Sequence, residues 1–523
     1  MRITNKACLG AILLALFAST RGMAAGPNTP EEWFAAGRHA VQEAKKLAPT
    51  KTVAKNVILF VGDGMGISTI TAARILEGQQ RGESGEENQL SFEKFPYVAL
   101  SKTYTVDQQT PDSAPTMTAM VTGVKTNDRT LSVDQNVKFG EPDRNVVKSH
   151  ALKTVLEMAE EKGLSTGVVT TTRVTHATPA ACYAHTAERD WEGDEDVSAG
   201  ASVPDIARQL IEFSYGNGLE VALGGGRSKF LPQSQDDLEE QGKKGGRKDG
   251  RDLTQEWLRN YPRAAYVWNT EQFAAINAAT TDHLLGLFEL GHMKYETDRQ
   301  TDTGGEPSLS EMTAKALEIL RKNKKGFFLM VEGGRIDHGH HAGNAFRALT
   351  EAIEFSKAVQ VARDKTRRAE TLIIVTADHS HTFTIAGYPK RGNPILGKVI
   401  LPNRTEPDRD MLGQPYSTLS YANGPGYTGE SQDAKGSHPQ GPKTFPHQPS
   451  KYTGITAGRP DLQSTDTTDP KYMQESVVPL PQETHAGEDV AIYADGPRAY
   501  LVHGTLEQNV IAHVIMDALR LKR

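Results

Sequence analysis

Acidic and histidine side chains follow three apolar runs of this sequence, and these are the residue types that bind divalent metal ions. The runs end at Val61, Val331 and Val375. Beyond them come, in chain order, Asp63, Glu332, Asp337, His341, Asp378, His379 and His381. Carboxylates mixed with imidazoles suit Zn2+ and Mg2+. One carboxylate in such a position is commonly a helix cap, but three such segments together predict a metal centre.

The spacing of Asp337 and His341 supports this prediction. The two residues are four positions apart, so in a helical turn both side chains lie on one face and can bind one ion. A solvated histidine-rich turn is the alternative for this segment taken alone.

Ser113 is the candidate nucleophile. It lies in a run of small residues, 110–119, which continues into Met120 and Val121. This pattern predicts a loop that enters a helix at Ser113. A serine there is commonly a cap, but a helix N-terminus also offers backbone N–H groups to an anion. From these residues alone, both interpretations stay open.

The elements that must position these residues follow from the wider pattern. Short apolar runs predict strands at 56–61, 167–170, 221–223, 327–331 and 372–375. Between and around them, amphipathic patterns predict helices at 30–46, 152–162, 203–213, 310–322, 345–363 and 508–521. Apolar strands that alternate with helices indicate an α/β fold, with a mostly parallel central sheet flanked by helices on both faces. In such folds the active site lies outside the carboxyl ends of the strands.

Composition and chain organisation narrow the class of protein. The chain has 523 residues, enough for one large α/β domain, and residues 388–481 read as a loop-rich insertion subdomain. A net charge of -6 gives no electrostatic reason to expect nucleic acid as a partner. Residues 1–25 are expected to be a signal peptide, and no C-terminal membrane-anchor signal is recognised. Removal of the signal peptide would leave Cys182 without a disulfide partner, and we expect Cys182 to be a buried apolar residue.

Taken together, these segments resemble the alkaline phosphatase family, and the residues of their motifs are most similar to those of its animal-type members. The resemblance runs from about Trp33 to His513. Besides the segments already named, it includes 171–180, 185–189 and 483–489. It implies hydrolysis of phosphate monoesters through a phosphoserine, in a periplasmic or secreted enzyme that forms a homodimer.

The resemblance also assigns roles by position. Ser113 would be the nucleophile, Arg189 would bind two phosphate oxygens, and His338 would lie near the phosphate as a titratable positive group. One zinc would be held by Asp337, His341 and His485, and a second by Asp63, Asp378 and His379. Magnesium would be held by Asp63, Thr178 and Glu332. His176 and His381 would contact the ligands rather than the metals. A possible calcium site maps onto Glu239, the Phe288 carbonyl, Glu289 and Glu306, where Glu306 replaces an aspartate.

Two other functions remain as alternatives. A sulfatase or phosphodiesterase of the same superfamily is the first, although sulfatases need an arginine four residues after the nucleophile, where this chain has Met117. A catalytically silent protein that binds phosphate or metal is the second. The presence of Ser113, Arg189 and a complete ligand set argues against it.

Overall fold

The computed structural model of the chain describes residues 27, 29–454 and 458–522. The predicted signal peptide, 1–25, lies outside these residues. The chain divides into two units, residues 1–47 and residues 48–523. In the first unit, helix α1 (Pro30–Ala44) begins with a capping box, in which Thr29 accepts a hydrogen bond from the Glu32 backbone N–H. Every residue of α1 is exposed.

The remaining helices lie in the second unit. They are α2 (Ile67–Gln80), α3 (Ser113–Thr122), α4 (Arg144–Ser149), α5 (Val155–Glu161), α6 (Ala177–Ala180), α7 (Ile206–Ile211), α8 (Leu253–Asn260), α9 (Thr270–Ala275), α10 (Leu309–Leu320), α11 (Arg335–His341), α12 (Ala345–Lys365) and α13 (Val510–Leu519). Within the described ranges, no helix combines the length and the apolar character needed to cross a membrane.

A ten-stranded sheet forms the centre of this unit. Its strands are β1 (Asn56–Gly62), β2 (Tyr97–Lys102), β3 (Ser165–Arg173), β4 (Val221–Gly225), β5 (Ala264–Val267), β6 (His283–Leu287), β7 (Phe327–Gly333), β8 (Thr371–Ala377), β17 (Val490–Asp495) and β18 (Gly504–Glu507). Their spatial order is β18-β2-β17-β8-β1-β7-β3-β4-β6-β5. Among the described strands of this sheet, only β17 is antiparallel to both of its neighbours. The predicted fold class, a mostly parallel sheet flanked by helices, is therefore confirmed.

The alternation of side chains along β1 explains why helices cover both faces. Val57, Leu59 and Val61 belong to one buried cluster, which also includes residues of α3, α5 and α13. Ile58 and Phe60 belong to a second cluster, with residues of α2, α10 and α12. Successive side chains of a strand point to opposite faces, so an uninterrupted apolar run needs apolar partners on both.

Short strands account for the remaining β-structure of the described residues. They are β9 (Ser380–His381), β10 (Phe383–Ile385), β11 (Leu419–Gly424), β12 (Ser431–Asp433), β13 (Gly436–His438), β14 (Pro449–Tyr452), β15 (Ser476–Pro479) and β16 (His485–Ala486). Two three-stranded sheets, β10-β11-β15 and β13-β12-β14, form from them. The region predicted as a loop-rich insertion thus contains short strands joined by long loops. Sequence reasoning did not assign β2, β5, β6, β17 or β18, which lie toward the edges of the large sheet.

Candidate functional site

Three adjacent strands bring the predicted ligands together. Strand β1 lies between β7 and β8, and its last residue, Gly62, pairs with Gly333 of β7 and with Ala377 of β8. The residues that follow or end these strands therefore meet at one edge of the sheet. They are Asp63 after β1, Glu332 within the end of β7, and Asp378 and His379 after β8.

The turn after β1 depends on Gly64. Its φ is +68°, a conformation that favours glycine. Its backbone N–H donates to Asp378 Oδ1 at 3.0 Å. A Cβ at this position would lie 2.3 Å from His381 Nε2. The absence of a side chain at Gly64 therefore lets the histidine approach the turn.

Asp63, Asp378 and His379 form the first group of metal-type ligands, and Ser113 lies against it. His379 Nε2 is 3.3 Å from Asp63 Oδ1 and 3.4 Å from Asp378 Oδ2. The Ser113 hydroxyl oxygen is 3.4 Å from both Asp63 oxygens and 3.4 Å from His379 Nε2. Bonds of about 2.0–2.1 Å to tetrahedral zinc separate neighbouring ligand atoms by about 3.3 Å. The residues present therefore fit a zinc ion.

Asp337, His341 and His485 form the second group, with similar spacing. Asp337 Oδ1 is 3.2 Å from His341 Nε2 and 3.3 Å from His485 Nε2, and the two imidazole nitrogens are 3.1 Å apart. Asp337 and His341 come from one face of helix α11, as the four-residue spacing predicted. The two groups are adjacent, because the rings of His379 and His485 stack with centroids 3.6 Å apart.

His381 contacts the second group through Asp337, and Glu483 holds it there. His381 Nε2 is 2.8 Å from Asp337 Oδ1, and its Nδ1 pairs with the Glu483 carboxylate. Although burial opposes it, Glu483 and Asp337 raise the pKa of His381 to about 10. The Glu483 backbone carbonyl also accepts a hydrogen bond from His341 Nδ1. Sequence reasoning assigned no role to Glu483, although its proximity to His485 in the chain was a usable signal.

Thr178 and Glu332 form a third group with Asp63. Thr178 lies close to the Glu332 carboxylate, yet Thr178 Oγ1 and Glu332 Oε1 have no well-formed hydrogen bond within the described ranges. Burial raises the pKa of Glu332 to about 7, and burial together with Asp378 raises the pKa of Asp63. Buried oxygen atoms without partners, on carboxyls that repel one another, fit a hard divalent cation such as Mg2+.

Helix α3 begins at Ser113, as predicted. The N-cap residue is Asp112 rather than Ser113, so the serine side chain is free of a capping role. The Arg189 guanidinium lies beside this helix start. Its Nη1 forms an ion pair with Asp112, and its Nη2 donates to His176 Nε2 at 2.8 Å. Arg189 is 9% exposed, so its orientation is set by these two contacts.

His176 and His338 lie together with a third histidine that sequence reasoning missed. Their ring centroids are 5.8 Å apart, and His292 is 4.3 Å from His338. Burial, followed by His292 and Arg335, lowers the pKa of His338 well below its usual range. The role of His338 as a titratable positive group near the phosphate stays a prediction. No motif around His292 pointed to this position.

A cavity of 360 Å³ lies beside these histidines. Its lining includes His292 from the loop after β6, His338 and His341 from helix α11, and Phe445 and His447 from the region predicted as an insertion. Residues of the region predicted as an insertion thus form one wall of the space next to the ligand groups.

The residues predicted for a possible calcium site also lie close together, with one addition. Burial, Glu289 and Asp302 raise the pKa of Glu306 to about 9, and burial and Glu239 raise that of Asp302 to about 7. Phe288 is buried and directly precedes Glu289. Sequence reasoning missed Asp302. An all-oxygen set suits Ca2+, but Lys294 Nζ also lies 2.6 Å from Glu289.

Comparison with known proteins identifies the family. The family model named Alkaline phosphatase matches residues 54–521. The tissue-nonspecific alkaline phosphatase of Gallus gallus is 45% identical over 518 residues, which cover 97% of this chain and 92% of that protein. The Homo sapiens isozyme is 42% identical over 499 residues, which cover 94% and 88% respectively. The chain belongs to the alkaline phosphatase family.

Solved alkaline phosphatases support the fold. The Thermus thermophilus alkaline phosphatase superposes with a TM-score of 0.62 at 24% identity, over 93% of this chain and 96% of that one. The alkaline phosphatase of the Antarctic bacterium TAB5 superposes with a TM-score of 0.57 at 22% identity, over 90% and 100%. As a member of the alkaline phosphatase family, this chain is an enzyme, a phosphoric monoester hydrolase.

Proposed function

We propose that the enzyme hydrolyses phosphate monoesters through a covalent phosphoserine on Ser113, with two zinc ions and one magnesium ion. The observation that carries the proposal is the position of the Ser113 hydroxyl. Its oxygen lies 3.4 Å from Asp63 and from His379 Nε2, two ligands of the first group. A hydroxyl in this position would be next to the ion that the group would hold.

The groups of the chain itself define the proposed reaction. Ser113 Oγ loses its proton and bonds to phosphorus, the bond from phosphorus to the leaving oxygen breaks, and the leaving group departs as an alcohol after taking up a proton. Water then bonds to phosphorus, the bond from phosphorus to Ser113 Oγ breaks, and Oγ takes up a proton given up by the water, which frees Ser113 and inorganic phosphate. The start of α3 favours the phosphate anion, because its backbone N–H groups and helix dipole point toward it.

Arg189 is proposed to bind two oxygens of the phosphate. Its two terminal nitrogens already contact Asp112 and His176. Each carries a second N–H, so the planar guanidinium, held by these contacts, can still donate two parallel bonds. A lysine would present a single point charge and could not reproduce this arrangement.

Asp337, His341 and His485 are proposed to hold one zinc ion, and Asp63, Asp378 and His379 the other. When bound, these ions lower the pKa of an adjacent hydroxyl and stabilise negative charge on oxygen. Contacts from two loops keep the ligands in place. Glu483 contacts His341 and His381, and the Gly64 backbone N–H donates to Asp378.

Asp63, Thr178 and Glu332 are proposed to hold magnesium, with His176 nearby. A histidine-to-aspartate variant of the TAB5 enzyme has been solved with Mg bound in a site named M3. We propose His176 as the corresponding histidine in this chain. For calcium, Glu239, the Phe288 carbonyl, Glu289 and Glu306 are proposed as ligands together with Asp302.

Replacement of the nucleophile tests the central proposal. We expect Ser113→Ala to lose most monoester hydrolysis but to retain zinc, because the change removes the covalent step and leaves the metal ligands in place. Wild type should also release a burst of one alcohol equivalent per chain, and the variant should not. Near-normal turnover in Ser113→Ala would contradict the proposal. Parallel assays with sulfate esters and phosphodiesters would show whether another activity of the superfamily dominates.

Localisation, organisation and assembly are part of the same proposal. We propose cleavage after the signal peptide at 1–25, secretion to the periplasm or the exterior, and a homodimer of the domain at 26–523, with the insertion at 388–481. N-terminal sequencing of the exported protein and light scattering of the purified enzyme test these statements.

A further inference from the structure

The insertion contains a cluster of metal-ligating side chains separate from the ligand groups described above. Asp433 ends β12, His438 ends β13, and His447 lies two residues before β14. Strand β12 pairs with both other strands, so the three side chains come from the middle and the two sides of one small sheet. No role has been assigned to them.

The pairing of the strands explains why these residues meet. Asp433 pairs with Gly436 across a tight turn, and its Oδ1 accepts the Lys435 backbone N–H at 2.8 Å. On the other side, Asp433 pairs with Pro449, the first residue of β14. The other carboxylate oxygen, Oδ2, is left to face the two histidines.

The distances among the three side chains suit one cation. Asp433 Oδ2 is 2.8 Å from His438 Nε2 and 3.2 Å from His447 Nδ1. One ligand atom from each residue lies within 4.8 Å of the others. Neighbouring ligand atoms around tetrahedral zinc are about 3.3 Å apart, so small side-chain shifts are sufficient. We propose that Asp433, His438 and His447 bind a zinc ion.

The surroundings of the cluster favour a metal over two simple histidine–aspartate hydrogen bonds. His447 Nε2 lies 3.2 Å from Ser431 Oγ, and an outer hydrogen bond of this kind orients the ring of a metal-ligating histidine. The two imidazole centroids are only 4.4 Å apart, with both rings directed at one carboxylate oxygen.

The three proposed ligands differ in solvent exposure, and this difference determines where water can reach the ion. The side chains of Asp433 and His447 are buried, whereas that of His438 is 31% exposed. The side of the cluster next to His438 is therefore open to solvent, and a water molecule can complete the fourth position. Two histidines with one carboxylate match the ligand preferences of zinc better than those of Mg2+ or Ca2+.

Zinc at this position would fix a wall of the cavity beside the candidate active site. His447 lines that cavity together with Phe445 of the same segment. The Phe445 ring lies 3.9 Å from the guanidinium of Arg347, a residue of helix α12, so this segment already contacts a helix that packs on the large sheet. The ion would join the same segment to β12 and β13, and thereby hold the insertion in one arrangement.

Zinc counting on the full-length enzyme tests the inference. The chelated protein is dialysed against buffered free Zn2+, and bound zinc per chain is measured by elemental analysis. We expect His438→Ala and Asp433→Asn each to bind one equivalent less than wild type, with monoester turnover close to that of wild type. His438 is suited to this test because it is partly exposed, and Asp433→Asn keeps the oxygen that accepts the Lys435 N–H.

His150→Ala is the matched control. His150 Nδ1 pairs with Asp134 at 3.0 Å, and its side chain is 34% exposed, close to the value for His438. We expect this control to keep the wild-type zinc content. The inference is overturned if both cluster variants bind as much zinc as wild type, or if His150→Ala loses the same amount. Loss of more than one zinc equivalent per chain together with loss of monoester hydrolysis in both cluster variants would also overturn it, because the catalytic ions would then be the ones affected.

Discussion

His176 contacts Arg189 through Nε2, while its Nδ1 has no hydrogen bond within the described part of the chain. Burial, followed by Arg189, lowers the pKa of His176 well below its usual range, so the ring is neutral. A neutral imidazole adds no negative charge near the proposed magnesium ligands Thr178 and Glu332. Magnesium prefers oxygen ligands and keeps several waters, which a nearby carboxylate would hold more firmly.

We therefore expect wild type to bind magnesium weakly and to be activated when it is added. His176→Asp should tighten magnesium binding by about tenfold, the lower end of effects attributed to groups that orient metal ligands. Activity is measured against magnesium concentration after loosely bound metal is removed. His503→Asp, a change at an exposed histidine, controls for the added charge. If the midpoints of wild type and His176→Asp coincide, His176 does not influence the third site.

The turn between β1 and α2 requires a glycine at position 64, and this requirement can be tested by substitution. Gly64→Ala places a Cβ 2.3 Å from His381 Nε2 and keeps a positive φ. Displacement of His381 would move Asp337, and a shift of about 1 Å in a catalytic arrangement can cost about a hundredfold in rate. We expect a loss of this size in kcat/KM, together with weaker zinc retention.

Gly82→Ala separates backbone strain from the clash. Gly82 has a φ of +82°, and a Cβ there would have no atom within 4 Å. Both variants thus carry the left-handed conformation that costs an alanine about 1 kcal/mol, but only Gly64→Ala touches a ligand group. Equal losses of activity in the two variants would show that the approach of His381 to Gly64 is unimportant.

At the scale of the whole molecule, the proposed ligands link distant parts of the chain. Asp63, Asp337 and His485 come from segments near the beginning, middle and end of the second unit. Ions that bind only the folded state stabilise it, by about 2.7 kcal/mol for a site at one hundred times its Kd. We expect chelation to remove activity and to lower the melting temperature, and added zinc and magnesium to restore both. Unchanged melting after verified zinc removal would contradict this.

A buried pair of carboxyls makes stability depend on pH. Glu160 lies beside Glu220, and burial followed by this neighbour raises the pKa of Glu160 to about 9 from an ordinary value near 4.5. The folded state therefore holds a proton that the unfolded state releases, so this contribution to stability is complete below the ordinary pKa and is lost as pH rises toward about 9.

Glu160→Gln should remove this dependence, because an amide resembles the protonated carboxyl and cannot ionise. We expect its melting temperature to rise relative to wild type as pH increases from about 5 to about 9, the interval between the two pKa values. Glu161→Gln, at a side chain 44% exposed, is the control and should show a constant difference. Parallel melting curves for wild type and Glu160→Gln across this range would contradict the prediction.

Local pattern was sufficient for much of this molecule. Apolar runs bounded by glycine and acids predicted the central strands β1, β3, β4, β7 and β8, because a strand buried on both faces must be apolar throughout. The four-residue spacing of Asp337 and His341 predicted their shared helix face. The small-residue run predicted the helix start at Ser113. Each of these signals lies within a few residues, where sequence periodicity has a direct structural meaning.

Tertiary structure decided the remainder, because strand order and side-chain contacts join residues far apart in the chain. The antiparallel strand β17 is almost fully buried, and sequence reasoning missed its short apolar run, whereas β2, next to the edge strand β18, has mixed exposure. Asp302 joins Glu289 and Glu306 only through folding of the loops that carry them. His292 meets His338 only in the folded chain, and burial there lowers the pKa of His338. A sequence names the groups that can bind a metal or carry a charge, whereas their distances and solvent exposure exist only once the chain has folded.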